Sequence, residues 1–401
     1  MKEKSILAID LGTDTMRASL TYTKRDKSHT KLVEVPSRGV KGGNISNLSS
    51  AEDSLISLLN RLRIEAGTSL PNEAYLVIPG SRTLSYEVEA RIVFPTMKTI
   101  NHNDVNEVKN KIKAELRRIK GMGINKYDIL HIIPQEFVVG NVEGIQNPIG
   151  HSGKELILRA FVVLVSKAHW NTLNNLMKKV GLRLKGGALQ VLASYYALRD
   201  DKTYFNNTLF LYMGAGSTEL LYFREDAPIL FRHEPFGVED LIECIIQTLK
   251  VSKKEAERLF KEYGSAYAFK VSKKETITVN YGTRVKTYPK ILIPALLQLK
   301  LKKLFNDIKS TLNSEDPSYL IHLNRVYLTG GLANLKDVGL LLEKTFKTPT
   351  EVLPSVKPIE GLVNYVLSLE KKEKFVDVKE DVKRAPGGLF SFIKRFIENY
   401  I

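Results

Sequence analysis

The chain has 401 residues, of which 43% are hydrophobic and 26% charged, an ordinary globular composition with enough length for more than one hydrophobic core. Sixty Lys plus Arg against 44 Asp plus Glu give a net charge of +16, which suits nucleic acid or an anionic membrane surface. The basic clusters are scattered and lack interleaved aromatic residues, which argues against nucleic acid. The single cysteine, Cys244, excludes an internal disulfide and a cysteine-rich metal site. Since no apolar stretch approaches the roughly 20 residues of a spanning helix, we expect neither export nor a transmembrane segment.

The first element is SILAIDLGTDTMRASLTYT, residues 5–23, which predicts two β-strands joined by a glycine-containing turn. Such a turn can hold phosphate, because glycine clears the approach to converging backbone N–H groups and hydroxyl side chains add donors. The candidate phosphate-binding residues are Asp10, Gly12, Thr13, Asp14 and Thr15. The carboxylate of Asp10 could also hold a magnesium ion through its waters. An ordinary hairpin is the alternative interpretation of this stretch.

The same pattern returns about two hundred residues later in NTLFLYMGAGSTELLYFRE, residues 207–225, and predicts a second hairpin. The candidate residues of its turn are Gly214, Gly216, Ser217 and Thr218. A third turn, LTGGLAN, lies between a strand and a helix and contains Gly330 and Gly331. The repeat predicts two related α/β halves.

Helical periodicity separates these strands at several places in the chain. The predicted helices are residues 51–64, 104–119, 168–180, 238–249 and 253–263. The last should begin after Ser252, a plausible N-cap with Glu255 three residues on. A further basic and apolar segment, LLQLKLKKLFNDIK, spans residues 296–309.

The C-terminal segment combines a charged stretch with an amphipathic end. KKEKFVDVKEDVKRAPG alternates charges and then turns at Pro and Gly, which predicts a flexible linker over residues 371–387. Residues 388–401 place their large apolar residues on one half of a helical wheel, with Lys394 and Arg395 on the other. Fourteen helical residues reach only about 21 Å, short of the roughly 30 Å hydrocarbon core, so the segment suits a helix lying in the membrane surface. The alternative is a last helix docked on the protein's own core. The candidate membrane-binding residues are Leu389, Phe390, Phe392, Ile393, Lys394, Arg395, Phe396 and Ile397.

The three turns in this order resemble the actin and Hsp70 superfamily, and the chain is most similar to the FtsA family of bacterial cell-division proteins. The most specific match is HIIPQEFVVGNVEGIQNPIGHSG, residues 131–153, which follows the stretch that marks the extra subdomain of that family. SRGVKGGNIS, LQVLASYYAL, PFGVEDLIECI and AERLFKEYG also match family segments in the expected order. The resemblance covers nearly the whole chain and implies an α/β, actin-like (ribonuclease H-like) fold of two lobes.

The same resemblance implies a domain organisation. The first lobe would comprise residues 1–83 and 168–202, interrupted by an inserted SHS2-like subdomain at 84–167. The second lobe would comprise residues 203–235 and 315–370, interrupted by a smaller subdomain at 236–314. The linker at 371–387 and the amphipathic helix at 388–401 would follow.

By position, the resemblance assigns the first and second turns to the phosphates of ATP and the Gly330–Gly331 turn to the adenosine. Glu257 stands where the family places an acid that binds the ribose hydroxyls; the alternative is an exposed helix carboxylate. Two positions depart from the superfamily pattern. Tyr212 stands where many members have Asp, and Phe260 stands where a Lys often follows the ribose acid. Because a tyrosine cannot position metal-bound water as a carboxylate does, we expect ATP binding with weak or absent hydrolysis.

The resemblance implies a division protein that binds ATP with Mg²⁺, forms filaments and tethers FtsZ to the inner face of the cytoplasmic membrane at the septum. In the family the smaller subdomain receives the C-terminal tail of FtsZ, so Lys300, Lys302 and Lys303 are candidate partners for acidic tail residues. The alternative for that segment is a buried helix with a solvated lysine face. Two other functions stay open: a PilM-like component of type IV pilus assembly, and an ATP-dependent kinase or chaperone of the same superfamily.

Overall fold

A computed structural model describes residues 5–24, 27–118, 124–199, 204–272, 274–354 and 356–376. The candidate membrane-binding residues therefore lie outside the described part of the chain. The strands are β1 (Ser5–Leu11), β2 (Thr15–Lys24), β3 (Lys27–Pro36), β4 (Val40–Lys41), β5 (Asn44–Ile45), β6 (Glu73–Ile78), β7 (Thr83–Thr99), β8 (Tyr127–Val139), β9 (Val142–Ile145), β10 (Ser152–Ser166), β11 (Arg183–Leu189), β12 (Thr208–Met213), β13 (Thr218–Arg224), β14 (Ala227–Glu234), β15 (Thr276–Tyr281), β16 (Arg284–Pro289), β17 (Arg325–Thr329) and β18 (Thr350–Leu353). The α-helices are α1 (Leu48–Ala66), α2 (His102–Arg118), α3 (Lys167–Lys179), α4 (Gln190–Leu198), α5 (Val238–Leu249), α6 (Lys253–Tyr263), α7 (Leu292–Glu315), α8 (Ser318–Ile321), α9 (Val338–Phe346) and α10 (Pro358–Val376).

Two five-stranded sheets with the same strand order form the centres of the two lobes. The first has the order β11-β6-β1-β2-β3 and the second β18-β17-β12-β13-β14. In the first sheet β1, β2 and β3 are antiparallel neighbours, and β6 and β11 run parallel to β1. The second sheet repeats this pattern, with β12, β13 and β14 antiparallel and β17 and β18 parallel to β12. Both hairpins predicted from the repeated sequence pattern are present. In each, four residues lie between the last cross-strand pair, Leu11–Met16 in the first and Met213–Thr218 in the second.

Helices α1 and α3 cover one face of the first sheet. The Oδ1 atom of Asn47 accepts from the Ser50 amide at 3.0 Å and begins α1, and Gly67 ends it with a φ of 62°. Between these caps, Leu55, Leu58 and Leu62 recur every three or four residues and are fully buried. The apolar stripe and the two caps together explain why the helix forms and how it docks.

The inserted subdomain is a four-stranded sheet with the order β7-β10-β8-β9, covered by α2. Val108 and Ile112 of α2 pack against buried residues of β10 such as Leu156. His131 of β8 fixes this subdomain to two other elements. Its Nε2 accepts from the Leu189 amide at 3.1 Å, so Nδ1 carries the proton of the neutral ring and lies 2.7 Å from the Tyr365 hydroxyl. Burial lowers the pKa of His131 to about 3.

The smaller subdomain of the second lobe contains α5, α6, the β15–β16 hairpin and α7. Both α5 and α6 have the bounds predicted from the sequence, and the Oγ atom of Ser252 accepts from the Glu255 amide at 3.3 Å as the expected N-cap. The segment 296–309 lies inside α7, where Leu297, Leu301, Leu304, Phe305 and Ile308 are buried. Lys300, Lys302 and Lys303 are exposed on the other side of this helix, a geometry that both readings of the segment require.

Helix α10 returns to the first lobe. Ile359 and Leu362 are fully buried in a cluster with Ile6 and Ala8 of β1. At the crossing with α4 only glycine fits at position 361, since a side chain there would collide with a backbone carbonyl. The predicted division, which gave residues up to 370 to the second lobe, is therefore corrected: α10 packs on the first sheet, whose apolar outer face needs a cover. The helix also runs to Val376, so residues 371–376 of the predicted linker are helical. None of the helices in the described ranges combines the length and hydropathy needed to span a membrane.

Candidate functional site

A cleft between the lobes brings together all three turns that the sequence singled out. Both hairpin turns line it, residues 12–15 from the first and residues 214–217 from the second, and Gly331 completes the wall. The other lining residues are Asp10, Leu11, Arg17, Gly43, Val77, Pro79, Gln190 and Tyr212. Residues from the two halves of the sequence thus meet at one site.

The two turns approach each other closely at Gly216. A Cβ atom at Gly216 would lie 3.0 Å from the Oγ1 of Thr13 and 3.0 Å from the backbone nitrogen of Gly42. Gly42 belongs to the tight turn between β4 and β5, so this small hairpin closes over the second phosphate turn. A side chain at position 216 would therefore have to displace these neighbours by a few tenths of an ångström or narrow the cleft.

Backbone donors line the space between the turns. In the described part of the chain, the amides of Thr13, Asp14, Ala215 and Gly216 donate to no backbone or side-chain acceptor. Turn amides without acceptors form an anion-binding concavity of the kind that holds phosphate. The cleft therefore fits a polyphosphate, which can accept from both lobes at once.

Asp10 and Arg17 form the charged centre of the first hairpin. They face each other across the β1–β2 pair, with Arg17 Nη1 3.5 Å from Asp10 Oδ2. Asp10 is only 2% exposed, and its burial raises the pKa of the carboxyl to about 6. The Nε of Arg17 donates to Glu34 at 3.1 Å, and Lys357 Nζ contacts the same Glu34 oxygen at 2.9 Å.

Tyr212 and Glu219 occupy the corresponding positions of the second hairpin, and they are also paired across their strands. The Tyr212 hydroxyl accepts from Gln190 Nε2 at 3.1 Å, and burial raises its pKa well above the usual range, so the phenol is neutral. Glu219 is fully buried and accepts from two amides of the first lobe, Gly80 at 2.7 Å and Val191 at 3.0 Å. Burial raises its pKa to about 7. The second hairpin thus joins the lobes through a carboxylate whose two oxygens are both engaged.

Three of the residues predicted to bind the nucleotide do not line the cleft. Thr218 is buried and its hydroxyl donates to the Phe236 carbonyl at 2.7 Å. Gly330, with a φ of 90°, packs against the backbone of β12. Glu257 is exposed on α6, 3.8 Å from Lys253. The assignment of Glu257 to the ribose stays a prediction.

The sequence pattern did not indicate four features of the site: Arg17, Gln190, Glu219 and the Gly42–Gly43 turn. A signal existed for two of them, because four-residue turns fix the hairpin register and place Arg17 opposite Asp10 and Glu219 opposite Tyr212. Gln190 and the glycine turn reach the cleft from other parts of the chain, and no local pattern indicates that contact.

Two protein-family models match the chain. The model of the SHS2 domain inserted in FtsA matches residues 80–164, and the model of the cell division protein FtsA matches residues 209–364. Among curated relatives, the cell division protein FtsA of Borreliella burgdorferi is 25% identical, with 96% of each chain covered. FtsA of Escherichia coli is 22% identical over 98% of this chain and 96% of its own.

Solved structures show the same fold at lower identity. The PilM-PilN type IV pilus biogenesis complex has a TM-score of 0.60 at 17% identity, covering 89% of each chain. MreB 5 of Spiroplasma citri bound to AMPPNP has a TM-score of 0.54 at 13% identity, covering 93% of this chain and 98% of that one. The MamK double helical filament has a TM-score of 0.52 at 12% identity, covering 90% and 98%. These likenesses concern the fold alone and support the predicted actin-like class, while the family match at residues 80–164 confirms the inserted subdomain.

Proposed function

The chain belongs to the FtsA family of cell-division proteins, and from this premise we propose that it binds ATP, assembles into filaments and tethers FtsZ to the cytoplasmic membrane at the septum. The observation that carries the proposal is the cleft in which the two hairpin turns and the Gly331 turn converge. The nucleotide would act as a switch for assembly.

The residues of the cleft fit ATP with Mg²⁺. The turn amides without acceptors bind the phosphates, and the Thr13 hydroxyl adds a donor. The Thr15 hydroxyl donates to Asp14 Oδ2 at 3.0 Å, so it would have to exchange that acceptor for a phosphate oxygen. Asp10 fits a hydrated cation, because its Oδ2 atom is buried and has no hydrogen-bond partner in the described part of the chain. Mg²⁺ supplies positive charge to the phosphates when it is bound.

The second hairpin supports weak or absent hydrolysis. Tyr212 is a neutral phenol, and the two oxygens of Glu219 are engaged by backbone amides. Tyr212 keeps its proton, and Glu219 lies outside the lining of the cleft, so neither is placed to take a proton from attacking water as a carboxylate at position 212 would be. We expect saturable ATP binding, with phosphate release far below the order of 10 per second of a median enzyme. Fast phosphate release would instead favour a kinase or chaperone of the same superfamily.

FtsZ binding is proposed for the smaller subdomain and membrane binding for the C-terminal tail. The exposed Lys300, Lys302 and Lys303 can attract an acidic peptide. Lys394 and Arg395 can meet anionic headgroups, each contributing about 1 kcal/mol near a charged surface. One tail would hold weakly, so a filament that presents many tails would bind the membrane by avidity. A PilM-like pilus component would need no membrane helix of its own, so the apolar tail favours the FtsA role.

Sedimentation with anionic vesicles tests the membrane anchor. Deleting residues 388–401 should abolish sedimentation with ATP present, while ATP binding and the melting temperature remain unchanged. Phe392→Glu and Phe396→Glu should do nearly the same. Ile64→Glu is the matched control, because Ile64 is an apolar side chain that is 81% exposed on the first lobe. Undiminished sedimentation of the truncated protein, or a lowered melting temperature, would show that the tail is a core element.

Binding of a peptide with the FtsZ tail sequence tests the partner site. Charge reversal of Lys302 and Lys303 should weaken the peptide affinity, and the loss should shrink as salt is added. Reversal of Lys178 and Lys179 on α3 makes the same change in net charge on the other lobe and should have little effect. Equal peptide affinity of both double variants at low salt would remove α7 from the site.

A further inference from the structure

The side chain of Gln190 reaches the cleft from the first residue of α4 and is only 8% exposed. The backbone amide before it, that of Leu189, donates to His131 Nε2 at 3.1 Å. The backbone amide after it, that of Val191, donates to Glu219 Oε2 at 3.0 Å. The backbone of Gln190 is therefore held on both sides, and only the torsions of its side chain are free to change.

The Tyr212 hydroxyl holds this side chain in one orientation. Gln190 Nε2 donates to the hydroxyl oxygen at 3.1 Å, and the phenol is neutral because burial keeps its pKa well above the usual range. The hydrogen bond joins the two lobes, since α4 packs on the first sheet and β12 belongs to the second. Both side chains are more than nine-tenths buried, so bulk water competes little for either partner.

Gln190 carries the only carboxamide among the described residues that line the cleft. A carboxamide presents an acceptor oxygen and an NH₂ donor in one plane, so it can bind a water molecule and fix its orientation. Glutamine side chains orient the attacking water in GTPases by this means. The cleft therefore contains a side chain suited to hydrolysis, and the Tyr212 hydroxyl engages it.

Hydrolysis of ATP depends on how the attacking water is oriented. The water oxygen forms a bond to the γ-phosphorus, the bond from that phosphorus to the bridging oxygen of ADP breaks, and the proton of the water leaves with the phosphate product. The amide of Gln190 has to give up its hydrogen bond to Tyr212 before it can turn toward such a water. That exchange adds to the barrier of every turnover.

We propose that Tyr212 slows ATP hydrolysis by holding the amide of Gln190, in addition to standing where a carboxylate could act. Tyr212 is then a positioning residue that acts through Gln190. The inference rests on the proposed nucleotide binding and concerns the turnover of the bound ATP. Removing only the hydroxyl of Tyr212 should release the amide, and the gain in rate should be lost again when the amide itself is removed.

The test measures phosphate release by the full chain over a range of ATP concentrations with Mg²⁺. The variants are Tyr212→Phe and the double variant Tyr212→Phe with Gln190→Ala. Tyr222→Phe is the matched control, because Tyr222 is fully buried on the neighbouring strand β13 and its hydroxyl donates to the Tyr319 carbonyl at 3.0 Å, outside the cleft. ATP affinity by calorimetry and the melting temperature are recorded for every variant, so that effects on binding and folding are separated from turnover.

We expect Tyr212→Phe to raise kcat about three- to tenfold, the effect of one neutral hydrogen bond on a rate, while KM for ATP stays within about twofold of wild type. The double variant should return to the wild-type rate or below it, and Tyr222→Phe should stay at the wild-type rate.

The inference is overturned if Tyr212→Phe releases phosphate no faster than wild type. It is also overturned if the double variant keeps the gain, because the amide would then not be its cause. An equal gain in Tyr222→Phe would overturn it too, since a general loosening of the second lobe would then explain the rate. Absence of ATP binding by wild type would instead refute the proposed function itself.

Discussion

Replacing Glu219 with glutamine should change how the stability of the protein depends on pH. Glu219 of β13 is fully buried and accepts from the amides of Gly80 and Val191, which belong to the other lobe. Burial raises its pKa from the ordinary 4.5 to about 7. A glutamine has nearly the same shape but binds no proton in this range, so the substitution removes one titration.

The sign follows from the direction of this pKa shift. Because the folded protein binds the Glu219 proton more tightly than the unfolded chain, the stabilisation is fully present below about pH 4.5 and disappears as the pH rises through about 7. Between pH 8 and pH 5 this proton contributes about 2.5 kcal/mol to the free energy of unfolding. His131 has the opposite effect, since its lowered pKa makes acid destabilising below about 6.5. The difference between wild type and variant isolates Glu219 from such opposing groups.

Urea unfolding of both proteins at pH 5, 6, 7 and 8 measures this difference. The free energy of unfolding of wild type minus that of Glu219→Gln should grow by about 2.5 kcal/mol as the pH falls from 8 to 5. Glu343→Gln, a change at an exposed carboxylate of α9, should give a nearly constant difference. Parallel pH profiles for wild type and Glu219→Gln would refute the assignment of a buried, weakly acidic carboxylate between the lobes.

Three further predictions concern the cleft and the inserted subdomain. Gly216→Ala should weaken ATP binding at least about tenfold by calorimetry, because the added Cβ would lie 3.0 Å from the opposite turn. The Cβ added by Gly331→Ala would lie 3.6 Å from its nearest neighbour, so that variant should keep the melting temperature of wild type. Equal ATP affinity of Gly216→Ala and wild type would contradict this prediction. Tyr212→Asp should raise the rate of phosphate release about tenfold or more if the missing carboxylate limits hydrolysis, because a positioned base raises a reaction rate by roughly 10²–10⁴. An unchanged rate would mean that another group limits hydrolysis. His131→Leu should lower the free energy of unfolding in urea by about 2–4 kcal/mol, because the Leu189 amide and the Tyr365 hydroxyl lose their hydrogen-bond partner. Tyr365→Phe should lower it by about 1 kcal/mol. Equal losses would show that only the hydrogen bond between His131 and Tyr365 contributes to stability.

The local parts of the structure could be predicted because their causes are local. The bounds of α5 and α6 follow from apolar periodicity and from the Ser252 cap. The two hairpins follow from strand patterns around glycine turns, and their repetition indicated two related halves. The convergence of the turns on one cleft was expected from the family resemblance, and the structure brings them together.

The contacts between distant segments could not be predicted in this way. Glu219 accepts from an amide 139 residues earlier in the chain, and neither residue carries a local signal of the other. Thr218 looked like a phosphate donor, but its hydroxyl donates to the chain's own Phe236 carbonyl. The position of α10 likewise depends on which sheet face is left uncovered, and that is a property of the assembled lobes.

Because α10 packs on the first lobe, a force applied to the C-terminal end of the chain is transmitted first to that lobe. A pull on the chain beyond Val376 acts along a helix that packs against α4 and strands of the first sheet. β18 of the second lobe joins the start of this helix rather than its pulled end, so we expect tension to load the first lobe before it opens the cleft. With the proposed tail bound to a membrane, the attachment can bear force while the affinity for ATP stays constant. Stretching single molecules between the first lobe and the C-terminus, with and without ATP, would measure that independence directly.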